Sequence, residues 1–312
     1  MSISIFSPDR PLRIGTRRSP LALAQAEMAA AAIRRAHSLV DDAVVLLPML
    51  ASGDRIQDRP LAEIGGKALW TKELERALID DVIDIAVHSM KDVETIRPDS
   101  YLIAAMLPRA DVRDRLIGAK SIDALPNGAR IGTSSPRRTA QMLRLRPDLQ
   151  IVPLRGNVAT RLARIAAGEA DATLLAAAGL DRLGMSETGI AVETGQILPA
   201  ASQGAVGIDR LSSRNDLADL LEPINDSATF MAVMAERVFL EALGGSCHSP
   251  VAAFAEVSDE MISLQAQIFN ADGSHIQAGH VHYAAGDLAA PARLAADMLA
   301  GAHPSISALF NP

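Results

Sequence analysis

Arg13-Ile14-Gly15-Thr16 returns far down the chain as Arg130-Ile131-Gly132-Thr133, and both copies run through Ser-Pro (Ser19-Pro20, Ser135-Pro136) into an alanine- and leucine-rich helical pattern. An apolar strand ending at glycine, a Thr/Ser/Arg loop, and Ser as N-cap with Pro at the first helical position together open a helix. Its unpaired N–H groups and positive dipole end attract phosphate or carboxylate. Arg17 and Arg18 in the first loop, and Arg137 and Arg138 just inside the second helix, add forked donors that suit carboxylates better than lysine does. The pair of devices points to a two-armed grip on a polyanionic ligand. Either copy by itself also reads as a strand, turn and cap of the kind α/β folds reuse, with its arginines solvated.

His88-Ser89-Met90-Lys91-Asp92 leaves the end of a buried strand, where open α/β sheets place their ligand sites. Asp92, beside Lys91, is the candidate working carboxylate: it can stabilise a developing cation or accept a hydrogen bond from a substrate N–H. The alternative is a helix N-cap or a plain ion pair. His88, inside an apolar strand, reads as a hydrogen-bonded core histidine rather than a base or ligand. Cys247 follows two glycines and Ser246, in a loop where the backbone can approach something bulky. His248 is adjacent, but no His/Asp set supports a cysteine hydrolase. A covalent attachment point needs only a thiolate and room. Gly65-Gly66-Lys67, in a polar loop over 52–67, is a candidate lid that brings a cation over a site. It is not a P-loop, because the upstream glycine and the Ser/Thr after lysine are absent. No G-x-G-x-x-G follows a strand and no side chains have metal-ligand spacing, so neither nucleotide nor metal is expected.

The elements that must position these residues alternate as strand and helix. The first segment reads as a strand at Leu12 to Gly15, a helix Leu21 to His37, a strand Val44 to Leu50, a helix Thr71 to Ile79 and a buried strand Asp84 to His88. From Arg130 the order repeats: strand, Ser-Pro helix to Arg144, strand Ile151 to Leu154, helix Val158 to Ala167, strand Ala172 to Ala176. Asp84-Ile85 and Asp171-Ala172 even begin the matching strands alike. This is the βα pattern of parallel sheets, and it predicts two similar α/β domains facing one cleft. Leu107 to Arg113 reads as a linker and Gln203 to Ile208 as a short returning strand. Beyond Asn225 the pattern changes to a helix Thr229 to Leu243, three alternating strands near Val251 to Val257, Met261 to Phe269 and His275 to Tyr283, and a closing helix Leu288 to Leu299. The expected domains are 1–107 with 203–224, 108–202, and a small α+β domain over 225–312.

At 312 residues and 49% hydrophobic, the chain can bury two or three cores. A net charge of -7 argues against a nucleic-acid partner. Yet eight arginines stand between Arg130 and Arg164 against one acid, Asp148, and a local positive field in an acidic protein suits a small anionic ligand. The single cysteine excludes an internal disulfide and fits a reducing compartment. No apolar stretch suits a signal peptide or a membrane span, so a cytoplasmic protein with no membrane partner is expected.

Taken in order, Gly65-Gly66-Lys67 with Lys72-Glu73-Leu74, His88 to Val93, Gly132-Thr133-Ser134-Ser135 with Arg137-Arg138, Leu154-Arg155-Gly156-Asn157, Gln203-Gly204-Ala205 and Cys247 resemble the porphobilinogen deaminase, or hydroxymethylbilane synthase, family over nearly the whole chain. The resemblance implies two periplasmic-binding-protein-like (type II) α/β domains and a third that carries a cysteine. It implies a transferase of tetrapyrrole (haem) biosynthesis that joins four porphobilinogen units head to tail, releasing ammonia, on a dipyrromethane cofactor held by a thioether. By the same resemblance Cys247 carries that cofactor and Asp92 is catalytic. Arg17, Ser19, Lys91, Ser135, Arg137, Arg138, Arg155, Arg161 and Arg182 bind the acetate and propionate groups, and Lys67 and Trp70 belong to the lid. A monomer is expected. Ala68, Trp70, Pro136 and Ser202 depart from the family's usual Gly, Phe, Leu and Gly.

Overall fold

The sequence repeat is a structural repeat. A computed structural model describes residues 6–49, 68–245 and 249–310, without the side chains of 68–70. These residues form two compact units, drawn from 1–109 with 205–230 and from 110–204 with 231–312.

In the first unit, strands β1 (Leu12–Arg17), β2 (Val44–Met49), β3 (Ile85–Ser89), β4 (Tyr101–Met106) and a late strand, Val206–Leu211, form one sheet. In the second, β5 (Asp114–Ile117), β6 (Arg130–Gly132), β7 (Gln150–Val152), β8 (Ala172–Ala176) and β9 (Ile190–Val192) form another. The late strand is β10. The orders β2-β1-β3-β10-β4 and β7-β6-β8-β5-β9 correspond strand for strand. Across each sheet three parallel strands are followed by an antiparallel strand, β10 returning late in the chain or β5 entering the second unit first, and by an edge strand that pairs antiparallel with it. One mixed, five-stranded α/β arrangement is thus built twice.

The repeated arginine holds each sheet together at its start. Arg13 donates from its backbone N–H and Nε to Asp84 Oδ2 (2.9 and 3.0 Å) and from Nη2 to Oδ1 (3.0 Å), while the Asp84 N–H returns to the Arg13 carbonyl (2.9 Å). Arg130 repeats this on Asp171, with 2.7 and 3.4 Å to Oδ2, 2.8 Å to Oδ1 and a returning bond of 2.8 Å. Burial opposes ionisation of Asp84, but the Arg13 hydrogen bonds prevail and hold its carboxyl below the usual range. These clamps join β1 to the start of β3 and β6 to the start of β8 at the N-terminal edge, away from the strand ends where ligands bind.

The third sheet, β11 (Val251–Ser258), β12 (Met261–Phe269) and β13 (Ile276–Ala284), is an antiparallel meander in the second unit. β12 alternates: Ile262, Leu264, Ala266 and Ile268 are buried, with more open positions between them, as one-sided sheets require. Phe239 of helix Ser227–Ala242 and Met298 of helix Ala290–Ala300 complete its core. The hairpin turn at Gly273 packs on the carbonyl of Ala140, in the helix Pro136–Leu145.

β4, β5 and β9 were not anticipated from sequence. They lie at or next to a sheet edge and pair antiparallel, outside the strand–helix alternation by which the parallel strands are legible. The returning strand begins at Val206 rather than Gln203, because Ser202 and Gly204 take left-handed backbone angles (φ 65° and 86°) that turn the chain first. Among the described residues no helix is long and apolar enough to cross a membrane.

Candidate active site

On the first unit the candidates gather at the C-terminal edge of the parallel strands. Ser19 caps helix Pro20–His37 by accepting from the Ala22 N–H (3.3 Å), and half-buried Arg17 ends β1 immediately before it. β3 gives way to a single turn, Met90–Asp92, which presents Lys91 and Asp92 half-buried. The turn is anchored from several sides. The Met90 side chain is fully buried against Gly207, where a Cβ would lie 2.1 Å from its sulfur. The Met90 N–H donates to the Ala205 carbonyl (3.1 Å), and the Ser89 hydroxyl meets the Gln25 amide at 2.7 and 2.9 Å. A rigid strand end of this kind suits a catalytic carboxylate, since its direction is set before any ligand arrives.

Beneath it lies a buried charge network. His88 Nε2 sits 3.1 Å from Asp209 Oδ2, to which Arg97 Nη1 also donates (2.5 Å), and Arg97 Nη2 donates to Glu75 (3.1 Å). His88 is the hydrogen-bonded core histidine that its setting in the sequence suggested.

On the second unit the arginines do not behave alike. Ser135 caps helix Pro136–Leu145 by accepting from the Arg138 N–H (3.4 Å), with Pro136 in the first helical position. Arg137 and Arg138 are both buried and both reach the carboxylate of Asp114. Burial opposes charge on Asp114, but Arg138 and Arg137 overcome it and hold the carboxyl far below its ordinary value. Arg155 and Arg161 lie half-buried in the loop after β7 and on helix Val158–Ala166, where Arg161 Nε donates to the Gly156 carbonyl (2.9 Å). The Ser134 hydroxyl donates to the Leu154 carbonyl (3.3 Å), joining the loops after β6 and β7. Arg182, ending the helix after β8, donates from Nη2 to the Gly204 carbonyl (2.7 Å), and its Nε is buried with no hydrogen-bond partner among the described residues. Ser135, Arg137, Arg138, Arg155, Arg161 and Arg182 therefore follow the ends of three parallel strands of one sheet.

Lys67 and Cys247 fall outside the described residues, as does the side chain of Trp70, whose backbone lies in helix Ala68–Ile79. Asp114, Asp209 and Arg97 were missed from sequence. A weak signal existed for two of them: each aspartate lies in or opens a short apolar strand, where a charge must find a partner.

Two family models match the chain: "Porphobilinogen deaminase, dipyromethane cofactor binding domain" over residues 12–219, and "Porphobilinogen deaminase, C-terminal domain" over 230–300. A porphobilinogen deaminase of Sphingopyxis alaskensis is 58% identical over 98% of both chains, and one of Paracoccus denitrificans is 46% identical over 96% of both. Among solved structures, a probable amino-acid ABC transporter extracellular-binding protein of Bacillus subtilis, ytmK, is 15% identical over 68% of this chain and 88% of its own, with a TM-score of 0.40.

Proposed function

The chain belongs to the porphobilinogen deaminase family, and on that premise we propose that Asp92 is its catalytic carboxylate, that Cys247 carries the cofactor, and that the arginines of the second unit grip the growing chain. The protein is a transferase of tetrapyrrole biosynthesis, a hydroxymethylbilane synthase that acts on porphobilinogen and uses a dipyrromethane cofactor.

The donor set fits a carboxylated group. Two buried guanidinia share the single carboxylate of Asp114, leaving a positive excess at a helix N-terminus, and Arg182 has an unsatisfied buried Nε nearby in the same sheet's loops. Bound dipyrromethane supplies the terminal pyrrole to which substrate is joined. Arg138, Arg155 and Arg161 hold acetate and propionate groups of that chain, with Ser135 at the same helix start, and Arg17, Ser19 and Lys91 hold others from the first unit. Arg182 acts at the substrate end. Arg137, whose terminal nitrogens are committed within the protein, supports this cradle from behind. Asp92 accepts the pyrrole N–H and faces the positive charge that develops as ammonia leaves porphobilinogen, lowering that barrier. Lys67 and Trp70 serve as a lid. We assign residues 1–107 with 203–224, 108–202 and 225–312 to three domains of a cytoplasmic monomer, its oligomeric state open to sedimentation analysis.

The observation that carries this reading is the anchored Met90–Asp92 turn, which offers a carboxylate at the end of β3 within the region matched by the cofactor-binding family model. Purified protein should convert porphobilinogen with release of ammonia. Its intact mass should exceed the chain mass by one dipyrromethane, lost in Cys247→Ala. An unmodified mass in active enzyme overturns the cofactor assignment.

A further inference from the structure

Arg137 and Arg138 are consecutive in the first turn of helix Pro136–Leu145, only 4% and 6% exposed, and one carboxylate serves both. Asp114 Oδ1 accepts from Arg138 Nη2 (2.7 Å) and Gln203 Nε2 (2.9 Å); Oδ2 accepts from Arg137 Nη2 (2.8 Å) and Arg138 Nε (3.1 Å). Four donors fill the lone-pair positions a carboxylate offers. Gln203 is itself fixed, donating to the Val112 carbonyl (2.7 Å).

The two guanidinia are committed differently. Arg137 spends Nη1 on the Leu198 carbonyl (2.6 Å) and Nη2 on Asp114 and the Gln203 amide oxygen (3.5 Å), so its terminal nitrogens point inward. Arg138 gives Asp114 one edge, Nε with Nη2, as a bidentate fork. A guanidinium is planar, so fixing one edge fixes the direction of the other, which ends in Nη1.

We propose that Asp114 is a positioning residue: it aims the outer edge of Arg138 at a carboxylate of the pyrrole chain, and it cancels one of two buried charges so that the pocket offers a single net positive charge. This rests on the reading of Arg138 as a ligand of the growing chain. The charge balance matters because two unneutralised guanidinia at a helix N-terminus would hold an anion too firmly to let it move, whereas none would not hold it. The aim matters because extension requires the chain end to lie within reach of the reacting centre at each addition, and misplacement by about 1 Å costs up to roughly a hundredfold in rate. A grip on the chain rather than on free porphobilinogen shows in kcat, not in KM.

The test uses the holoenzyme with porphobilinogen and two readouts, steady-state kinetics and intact mass of enzyme quenched during turnover. Asp114→Asn should retain the cofactor mass, lose about tenfold or more in kcat with KM within about twofold, and accumulate partly extended forms. A folded Asp114→Asn protein with wild-type kcat, or one with raised KM and unchanged kcat, overturns the proposal. Because that variant leaves two buried cations on a neutral amide, Asp114→Asn/Arg137→Met restores a single net charge while Arg138 still lacks its fork. Slow turnover and accumulated intermediates in the double variant support the aiming role. Wild-type turnover overturns it, and so does a double variant that also fails to fold, since Asp114 is then required only for folding. If the unmodified protein fails to turn over porphobilinogen, the functional reading fails instead, whatever Asp114 does.

Discussion

Each half of the molecule buries one aspartate on its returning antiparallel strand, and the two aspartates serve different ends. Asp209 lies in the body of β10, opposite Ala86, whereas Asp114 opens β5 opposite Ala176, the last residue of β8. That shift along the strand decides which partners each can reach. Asp209 stays within the sheet, where His88 and Arg97 share its Oδ2 and Oδ1 has no partner among the described residues. Asp114 emerges at the strand ends, where four donors surround it at a helix N-terminus. The same frame thus braces the Met90–Asp92 turn in one half and joins two arginines to one carboxylate at a helix N-terminus in the other. The two sheets share one strand order, and the placement of one acidic residue along it sets them apart.

The largest effect is expected at the turn that Asp209 underlies: Asp92→Asn should lower kcat for ammonia release about a thousandfold, roughly 4 kcal/mol, with an unfolding midpoint close to that of the parent. Near-normal turnover would remove Asp92 from the chemistry. Next come the buried acids themselves. Asp114→Asn should cost roughly 3 kcal/mol in denaturant unfolding, because every orientation of the amide sets its NH2 against arginine donors and leaves two buried cations unneutralised. Asp209→Asn should cost only about 1–2 kcal/mol, since its amide oxygen can keep both bonds now made by Oδ2 while the NH2 takes the unpartnered Oδ1 position. Equal losses would erase the distinction between the two sites.

Acid titration sharpens the same contrast more gently. Burial opposes the charge of both carboxylates, but His88 and Arg97 in one half and Arg138 and Arg137 in the other hold their pKa values below the usual range. The stability such groups contribute is present above the unfolded carboxyl value of about 3.9 and is lost as pH falls toward the folded value. The unfolding midpoint should therefore stay level from neutrality to about pH 5 and drop below about pH 4. Asp209→Asn should make that drop shallower; an unaltered acid limb would show that Asp209 takes no part in it. The smallest change concerns Ser202, at φ 65° with its N–H donating to Glu236 Oε2 (2.6 Å). Ser202→Gly should gain about 0.5–1 kcal/mol by relieving a left-handed serine, and a loss would mean that the serine side chain itself contributes.

Ser202 occupies a left-handed backbone position of the kind that favours glycine, and Pro136 occupies the first helical position, where its missing N–H costs no helical hydrogen bond. The angle at Ser202 is not written in its residue identity, whereas the place of Pro136 is legible in the Ser-Pro pair itself.

The doubled βα order, the Ser-Pro caps at Ser19 and Ser135, and the strand end that presents Asp92 are all legible in the order of residues. Each of these is local: a hydrophobic period, a cap or a turn is written in residues a few positions apart. Only the tertiary structure decided which charges face which. Arg13 meets Asp84 71 residues away, Arg97 meets Asp209 112 residues away, and Arg137 turns inward to an aspartate 23 residues upstream while Arg138 keeps an edge to offer. Partners of that kind have no periodicity. They are selected by the cost of burying an uncompensated charge, which exists only once the chain has folded around it.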